Sequence, residues 1–493
     1  MAQPSDRPVN DCNNAPPDGV GTRLDRSVAP LVQAHPGLSG ILALPDGRDA
    51  FAARVLMSDA AERTLDARYY IWHDDLSGGL LFAALRRAAD RGVRVRLLLD
   101  DNNTVGLDSL LAALNAHPNI EVRLFNPFRF RRWRILGYLT DFARLNRRMH
   151  NKSFTVDNQA TIVGGRNVGD EYFDAGQGVS FADLDVLAVG PVVAEVAGDF
   201  ERYWTSRSSC PAERVLPPVD EASVADLEAA ASRAERAPGA RAYMQALASS
   251  AFVQTLLAGQ LPLEWAAAHM VSDDPTKVLG RLPDDALMWS RLKRILGVPT
   301  QELELVSPYF VPGWAGEKFL DTLARRGVTT TVLTNSLEAT DVPAVHAGYA
   351  RWRKPLLMAG VRLFEMKREF SSPPVRAHGR SGSSNSSLHA KTFSVDRARV
   401  FIGSFNFDPR SARLNTEMGL VIESPALAQA MADSLARHLR SRAYEVRLRK
   451  SGRLQWLEQR DGHEVIHTEE PGTGVWRRAF VRVLSVLPIE WLL

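Results

Sequence analysis

The amino-acid sequence predicts an α/β fold built twice over, and three observations lead to it. An alternation of strand, helix and strand patterns runs over residues 63–125, and the same order returns over residues 302–364. Each run then enters one copy of the same motif, His-x-Lys-x-x-x-x-Asp, and the two histidines stand 239 residues apart. Such alternation builds a largely parallel sheet with helices on its faces, and its recurrence at a fixed spacing reads as an internal duplication. Two α/β/α lobes with mixed, mostly parallel sheets are therefore expected.

In the first run, residues 63–72 are rich in aromatic side chains and read as a strand. Residues 77–91 place Leu80, Leu81, Ala84, Leu85 and Ala88 on one helical face and stop at Gly92. Residues 93–99 form a strand pattern, 108–115 a helix with Asp108 as its cap, and 120–125 another strand. The second run repeats this with strands over 302–308, 328–334 and 361–364 and helices over 317–326 and 345–358. The division expected is a loose tail over 1–35, lobes over 36–210 and 241–450, and a C-terminal hairpin with an apolar tail over 451–493. An Ala-, Glu- and Pro-rich connector occupies 211–240, and a Ser-, Gly- and Pro-rich loop over 371–387 leads into the second motif.

Composition excludes little by itself. Of 493 residues, 45% are hydrophobic and 24% charged, ordinary for a globular chain, and the net charge of +3 names no partner. The two cysteines, Cys12 and Cys210, have no metal-ligand spacing. Local charge is more telling. Between Phe128 and Arg148 lie seven arginines with Asp141 as the one acid, interleaved with Phe128, Phe130, Trp133, Tyr138 and Phe142. That mixture suits an anionic lipid surface or a nucleic-acid backbone, although a basic surface helix with a buried aromatic stripe has the same composition. No apolar run approaches the ~18 residues that span a bilayer, and residues 1–21 lack the hydrophobic region of a secretory signal. The apolar stretch 479–493 is too short to span, and docking onto the core is expected in preference to lying in an interface.

The first motif runs from His150 through Lys152 to Asp157 and the second from His389 through Lys391 to Asp396. On a strand, residues i and i+2 share a face, so each imidazole is expected beside its ammonium group. Phosphodiester transfer needs a nucleophile, a proton donor for the leaving oxygen and cations around the phosphoryl oxygens. Two histidines and two lysines supply these without a metal or another cofactor. Asn167 and Asn406 each follow their histidine by 17 residues, which suits hydrogen-bond donors to the phosphate. Asp183 and Glu417 each lie eight residues before a proline, Pro191 and Pro425, and are candidates to hold the histidines by the far ring nitrogen. The place of Asp157 and Asp396 at a strand end suits turn-holding better than chemistry. One such motif alone reads as a solvated strand face; two intact copies in matched surroundings argue for catalysis over a binding module.

A competing motif, His463-Glu464-Val465-Ile466-His467, matches the H-E-x-x-H zinc pattern. It follows Asp461-Gly462 and alternates like a strand, which sets its histidines ~13 Å apart, so no metal site is expected. His73, His117, His269 and His346 lack a paired motif and read as structural or surface residues.

The duplicated motif, with its asparagine and acidic followers, resembles the phospholipase D superfamily. Four longer strings, over residues 69–75, 94–101, 146–152 and 403–410, resemble bacterial cardiolipin synthases of the C type, and the likeness extends from about residue 34 to the C-terminus. The resemblance implies a duplicated phospholipase D fold with both motifs meeting at a pseudo-twofold interface. It implies a covalent phosphohistidine, with His150 as nucleophile and His389 as general acid and then base, and no metal. It implies passage of a phosphatidyl group to phosphatidylglycerol, from phosphatidylethanolamine in the C type, at the bacterial inner membrane with peripheral attachment. Some C-type enzymes use a small accessory protein. The motif leaves phospholipid hydrolysis and nucleic-acid cleavage open as alternatives; the basic-aromatic segment and apolar C-terminus favour lipid, and no nucleic acid is expected. Membrane side and oligomeric state are not fixed.

Overall fold

The computed structural model of the protein describes residues 19–175, 181–219, 236, 240–257, 260–280, 282–368, 387–460 and 462–487. Eighteen of its strands join in one mixed sheet whose order is a near-palindrome. From one edge inward run Ser209–Pro211, Ile120–Phe125, Arg94–Asp100, Thr64–Tyr69, Ser153–Val156, Ala160–Gly164, Asp185–Val189 and Ser39–Leu44. Ser39–Leu44 then pairs antiparallel with Glu264–Ser272. Beyond that junction the same arrangement unfolds in reverse: Met418–Glu423, Arg399–Gly403, Thr392–Val395, Glu302–Val306, Thr329–Asn335, Arg362–Met366 and Ala443–Leu448. A hairpin of Leu454–Arg460 and His463–His467 extends the second edge. A sheet that reads alike from either side of one antiparallel junction is what a pseudo-twofold axis there produces.

The sheet is less parallel than the sequence suggests. Each lobe has a parallel triplet, Thr64–Tyr69, Arg94–Asp100 and Ile120–Phe125 in one, Glu302–Val306, Thr329–Asn335 and Arg362–Met366 in the other. The other pairings in the large sheet are antiparallel. The helix-strand alternation stops before each motif. After it the chain turns back in tight hairpins, which add only antiparallel neighbours.

Most elements of the two runs fall where the residue patterns put them. Leu76–Asp90 is a helix capped by Asp75, buries Leu81, Ala84, Leu85 and Ala88, and ends before Gly92, whose φ of +93° is left-handed. Three expectations are corrected. Asp108 is the first residue of the helix Asp108–Asn115 and not its cap, because its carboxylate is bound by Arg131. The helix expected over 345–358 is two, Pro343–Ala350 and Arg353–Met358, since Pro355 has no N–H to continue the ladder. The second part of the supposed tail is a helix, Arg23–Ala34, whose first turn is anchored by Arg23 to Glu62 and whose Leu24 and Val28 pack on the first core. Residues 1–18, most of the 211–240 connector and the loop 369–386 lie outside the described residues.

Each lobe has its own apolar core, and a third cluster, including Ile41, Val186, Met270, Leu420 and Ile422, is shared across the junction. The three parallel strands of each lobe end at one edge of the sheet. The antiparallel strand after each motif starts from that edge, with Ser153 opposite Arg68 and Thr392 opposite Val306. The His-x-Lys segments therefore sit at the carboxyl ends of parallel strands, the usual ligand-binding edge of an open α/β sheet.

Candidate active site

Neither His-x-Lys segment lies within a strand, since the ladders begin at Ser153 and Thr392. Their backbones are tied across the lobes instead. His150 N donates to Thr416 O at 2.9 Å, beside a bridge between Met149 and Thr416. His389 N and Ala390 N donate to Ala182 O at 2.9 and 3.0 Å, in a short parallel pairing of Phe181–Ala182 with Ser387–Leu388. In both cases the next residue on the facing segment is the candidate acid.

The acids consequently hold the histidines crosswise. Glu417 of the second lobe meets His150 Nδ1 at 2.9 Å, and Asp183 of the first lobe meets His389 Nδ1 at 2.5 Å. A carboxylate at Nδ1 assigns the proton to that nitrogen and the lone pair to Nε2. Lys152 Nζ donates to His150 O at 2.6 Å, Lys391 Nζ donates to His389 O, and both lysines are buried.

All four groups share one electrostatic environment. Burial lowers His150 to about 4 against the pull of Glu417, and the charges of both Lys152 and Lys391 push the same way. Burial lowers His389 to about 3, again with both lysines contributing. Burial also depresses both lysines, opposed by Glu417 and Asp183. The two carboxylates are themselves held below their ordinary range: burial works against this, but the imidazoles and lysines prevail. At neutral pH the site thus presents neutral imidazoles beside two buried lysine amines, a setting for attack on an anionic phosphodiester.

The asparagines occupy matched backbone positions, next to the bridges Trp72 to Val168 and Phe310 to Phe407. Their amides differ. Asn167 accepts from Ile71 N at 3.2 Å and donates to the Tyr172 hydroxyl at 3.1 Å. Asn406 Oδ1 is buried without a hydrogen-bond partner. One of the two Asn167 N–H groups thus goes to Tyr172.

Asp157 and Asp396 do not join the cluster. Asp157 accepts from the backbone N–H of Glu62, Arg63 and Thr64 at 3.0, 2.8 and 2.8 Å. Asp396 accepts from Thr300, Gln301 and Glu302 at 3.0, 2.8 and 2.9 Å. Both sit at the amino end of the neighbouring parallel strand, separated from their histidines by a four-residue strand of about 13 Å. Their place is in the turn.

Sequence reasoning missed several residues that shape the site. Tyr70 meets His150 edge-on with ring centroids 4.9 Å apart, and Tyr172 meets His389 at 5.1 Å. Ser404 donates its hydroxyl to Glu417, while at the matching position a Cβ on Gly165 would stand 2.2 Å from Asp183 Oδ1. Tyr70 lies within the string at 69–75; the 15-residue offset shared by Gly165 and Ser404 was the available signal for that pair. Among the described residues, His73, Asp75 and Glu171 are one group whose ligand atoms converge. Asp75 is already bound as the cap of Leu76–Asp90 and by Asp170 N, which leaves a polar rim in place of a cage. His463–His467 is a hairpin strand with His467 bound to Glu458, not a zinc helix.

Residues 55–204 and 292–439 match the family model described as "Cardiolipin synthase, PLD-like domain". The chain belongs to this family. It is 53% identical over 474 residues to Cardiolipin synthase C of Escherichia coli (strain K12), covering 96% of this chain and 100% of that protein. It is 28% identical over 395 residues to Cardiolipin synthase A of Pseudomonas entomophila (strain L48), covering 80% of this chain and 67% of that one. Among solved structures, the phosphatidylserine synthase of Haemophilus influenzae Rd KW20 superposes with a TM-score of 0.55 at 13% identity, over 85% of this chain and 92% of that one, a likeness of fold. As a phospholipase D-like cardiolipin synthase family member, the protein has both matched segments, one per lobe, contributing one histidine and the acid of the other.

Proposed function

We propose that the protein transfers a phosphatidyl group to phosphatidylglycerol, with phosphatidylethanolamine as the donor, while attached peripherally at the bacterial inner membrane. The observation that carries this reading is the crossed pairing of Glu417 with His150 and Asp183 with His389 around two buried lysines. It is supported by the 53% identity to Cardiolipin synthase C. No helix among the described residues is long and apolar enough to cross a membrane.

His150 Nε2 attacks phosphorus, the bond from phosphorus to the ethanolamine oxygen breaks, and His389, protonated once the anionic phosphodiester is bound, gives that oxygen its proton. Lys152 and Lys391 balance the charge on the phosphoryl oxygens, and Asn406 is a further donor. The neutral His389 next takes a proton from the glycerol hydroxyl of phosphatidylglycerol, whose oxygen displaces His150 from phosphorus to give cardiolipin. Incubation of the purified protein with phosphatidylglycerol, phosphatidylethanolamine or both tests the proposal. Cardiolipin formed only from both lipids is expected. Cardiolipin from phosphatidylglycerol alone reassigns the donor, and phosphatidic acid as the sole product overturns transfer in favour of hydrolysis.

A further inference from the structure

Three tryptophans are two-thirds or more exposed, an unusual state for the largest apolar side chain. Trp133 is 67% exposed, Trp314 68% and Trp476 88%. Each lies just beyond the carboxyl end of a parallel strand of its lobe, the end at which that lobe's histidine segment also sits. Trp133 follows the carboxyl end of Ile120–Phe125 and begins the helix Arg134–Leu145. Trp314 is in the first turn of the helix Gly313–Arg325, which follows the end of Glu302–Val306. Trp476 is in the first turn of the helix Val475–Ser485, which packs through Val481 on Leu337 and Ala347, just past the end of Thr329–Asn335. Asp341, in that same loop, acts on the charge of Lys391, so this rim adjoins the cleft.

From two of these tryptophans exposed apolar side chains continue along the chain. Ile135, Leu136 and Leu139 are exposed on Arg134–Leu145 before a kink at Asp141 and Phe142 after it, while Gly137 and Leu145 face inward. Phe480, Val483 and Leu487 are exposed on the C-terminal segment. The basic-aromatic segment thus divides: Phe128 and Tyr138 pack inward on one another, while Phe130, Trp133 and Phe142 face out with the aliphatic residues. Basic side chains flank both stripes: Arg129 is exposed beside the first and Arg482 along the second, while Arg131, Arg134 and Arg148 are turned inward onto Asp101, Asp108 and Asp100. Lys318 Nζ lies 4.9 Å from the Trp314 ring.

We infer that this rim is a bilayer-docking surface, in which Trp133, Trp314 and Trp476 enter the headgroup and acyl boundary of an anionic phospholipid membrane and hold the cleft mouth against it. Tryptophan suits that boundary because its ring is apolar while its N–H is not, and arginine beside exposed apolar stripes complements anionic headgroups where a neutral protein partner would not require it. The tryptophans come from both lobes, so docking seats both halves of the site on one surface. The inference rests on the lipid-transfer reading for its purpose, but its geometry is testable apart from it.

The test compares the full-length protein with a Trp133→Ser, Trp314→Ser, Trp476→Ser triple variant. Binding is measured by flotation on vesicles of phosphatidylglycerol and phosphatidylethanolamine, and on phosphatidylcholine alone. Quenching by brominated acyl chains reports tryptophan insertion. Wild type is expected to prefer the anionic vesicles and be quenched; the triple variant should bind them at least about tenfold more weakly. Its melting temperature should match that of wild type, and its turnover of dispersed short-chain phospholipid should stay within about twofold. Vesicle binding unchanged in the triple variant overturns the inference, and so does a shift in oligomeric state with vesicle binding intact, which would assign the rim to a second copy. A wild type that is quenched by vesicles yet makes no cardiolipin sinks the functional reading and leaves the rim standing.

Discussion

The two lobes repeat one backbone plan but surround their histidines differently, and the difference separates what duplication preserves from what it frees. Sheet order, hairpins and turn-capping aspartates correspond across the pseudo-twofold. The side chains around the rings do not. His150 is held by Glu417, itself braced by the Ser404 hydroxyl; His389 is held by Asp183, for which Gly165 leaves room and near which Arg166 adds a positive charge. The first lobe supplies the ring against each histidine, Tyr70 for His150 and Tyr172 for His389. Backbone equivalence thus coexists with unequal settings, as it must if one histidine attacks phosphorus while the other moves a proton.

The strongest way to break this division of labour is to remove each histidine. His150→Ala and His389→Ala should each lower cardiolipin formation by about 10⁴-fold or more. A phosphatidyl ester of p-nitrophenol, whose leaving group needs no proton, should separate them. His389→Ala is expected to keep a nitrophenol burst of one equivalent and His150→Ala to show none. A burst from His150→Ala alone would exchange their roles.

The crossed acids come next. Asp183→Asn and Glu417→Gln remove the negative charge that orients Nδ1–H and should cost about 10²- to 10⁴-fold in kcat. Because the pairs are crossed, His150 and its partner Glu417 lie in different lobes. A mixture of His150→Ala and Glu417→Gln proteins should therefore regain activity only if chains exchange whole lobes. His150→Ala with Asp183→Asn, both in the first lobe, should never regain it. Gly165→Ser, which copies the second lobe into the first, should push Asp183 off His389 and lower kcat more than KM changes. Activity retained in that variant would mean the two settings are interchangeable.

These couplings mark where sequence reading stopped. The 239-residue spacing and the matched offsets of Asn167 with Asn406 identify equivalent positions within each half. Equivalence does not say whether Asp183 meets His150 or His389, which only the packing of one lobe on the other decides. The parallel triplets were legible because helices interrupt them; the hairpin strands beyond each motif look similar residue by residue and shift the sheet to mostly antiparallel. The segment 128–148 announced its arginines and aromatics, but composition could not say which of its faces meets solvent.

Acid stability offers a sharper comparison of the two rings. Both imidazoles have folded pKa values below the ordinary histidine value of about 6.5, at about 4 for His150 and about 3 for His389. The unfolded chain therefore binds more protons below neutrality. The stability they contribute is fully present above about pH 6.5 and is lost progressively as pH falls from there to about 4 for His150 and about 3 for His389, by several kcal/mol in all. Urea unfolding of the wild type and of a His150→Asn, His389→Asn double variant should show a shallower slope between pH 6.5 and 4 in the variant. Equal slopes would mean that neither ring is held neutral.

The smallest expected effects lie in the turns, where the halves look most alike. Asp157-Asn158 and Asp396-Arg397 both have left-handed φ, from 49° to 53°. Asp157 is buried and holds three backbone N–H groups, so Asp157→Ala should destabilise by about 3 kcal/mol; the partly exposed Asp396 should cost about 1 kcal/mol. Both variants should keep kcat at a temperature where they are folded, because neither carboxylate reaches the cleft. Arg397 sharpens the contrast. Its left-handed backbone is costly for a long side chain and natural for asparagine, while its exposed pairing with Glu302 at 2.6 Å is worth about 0.2–1 kcal/mol. Arg397→Asn would make the second turn resemble the first, and a gain of about 0.5 kcal/mol in urea unfolding is expected. A loss instead would show that the ion pair outweighs the backbone, and that the second lobe has found its own way to hold the same turn.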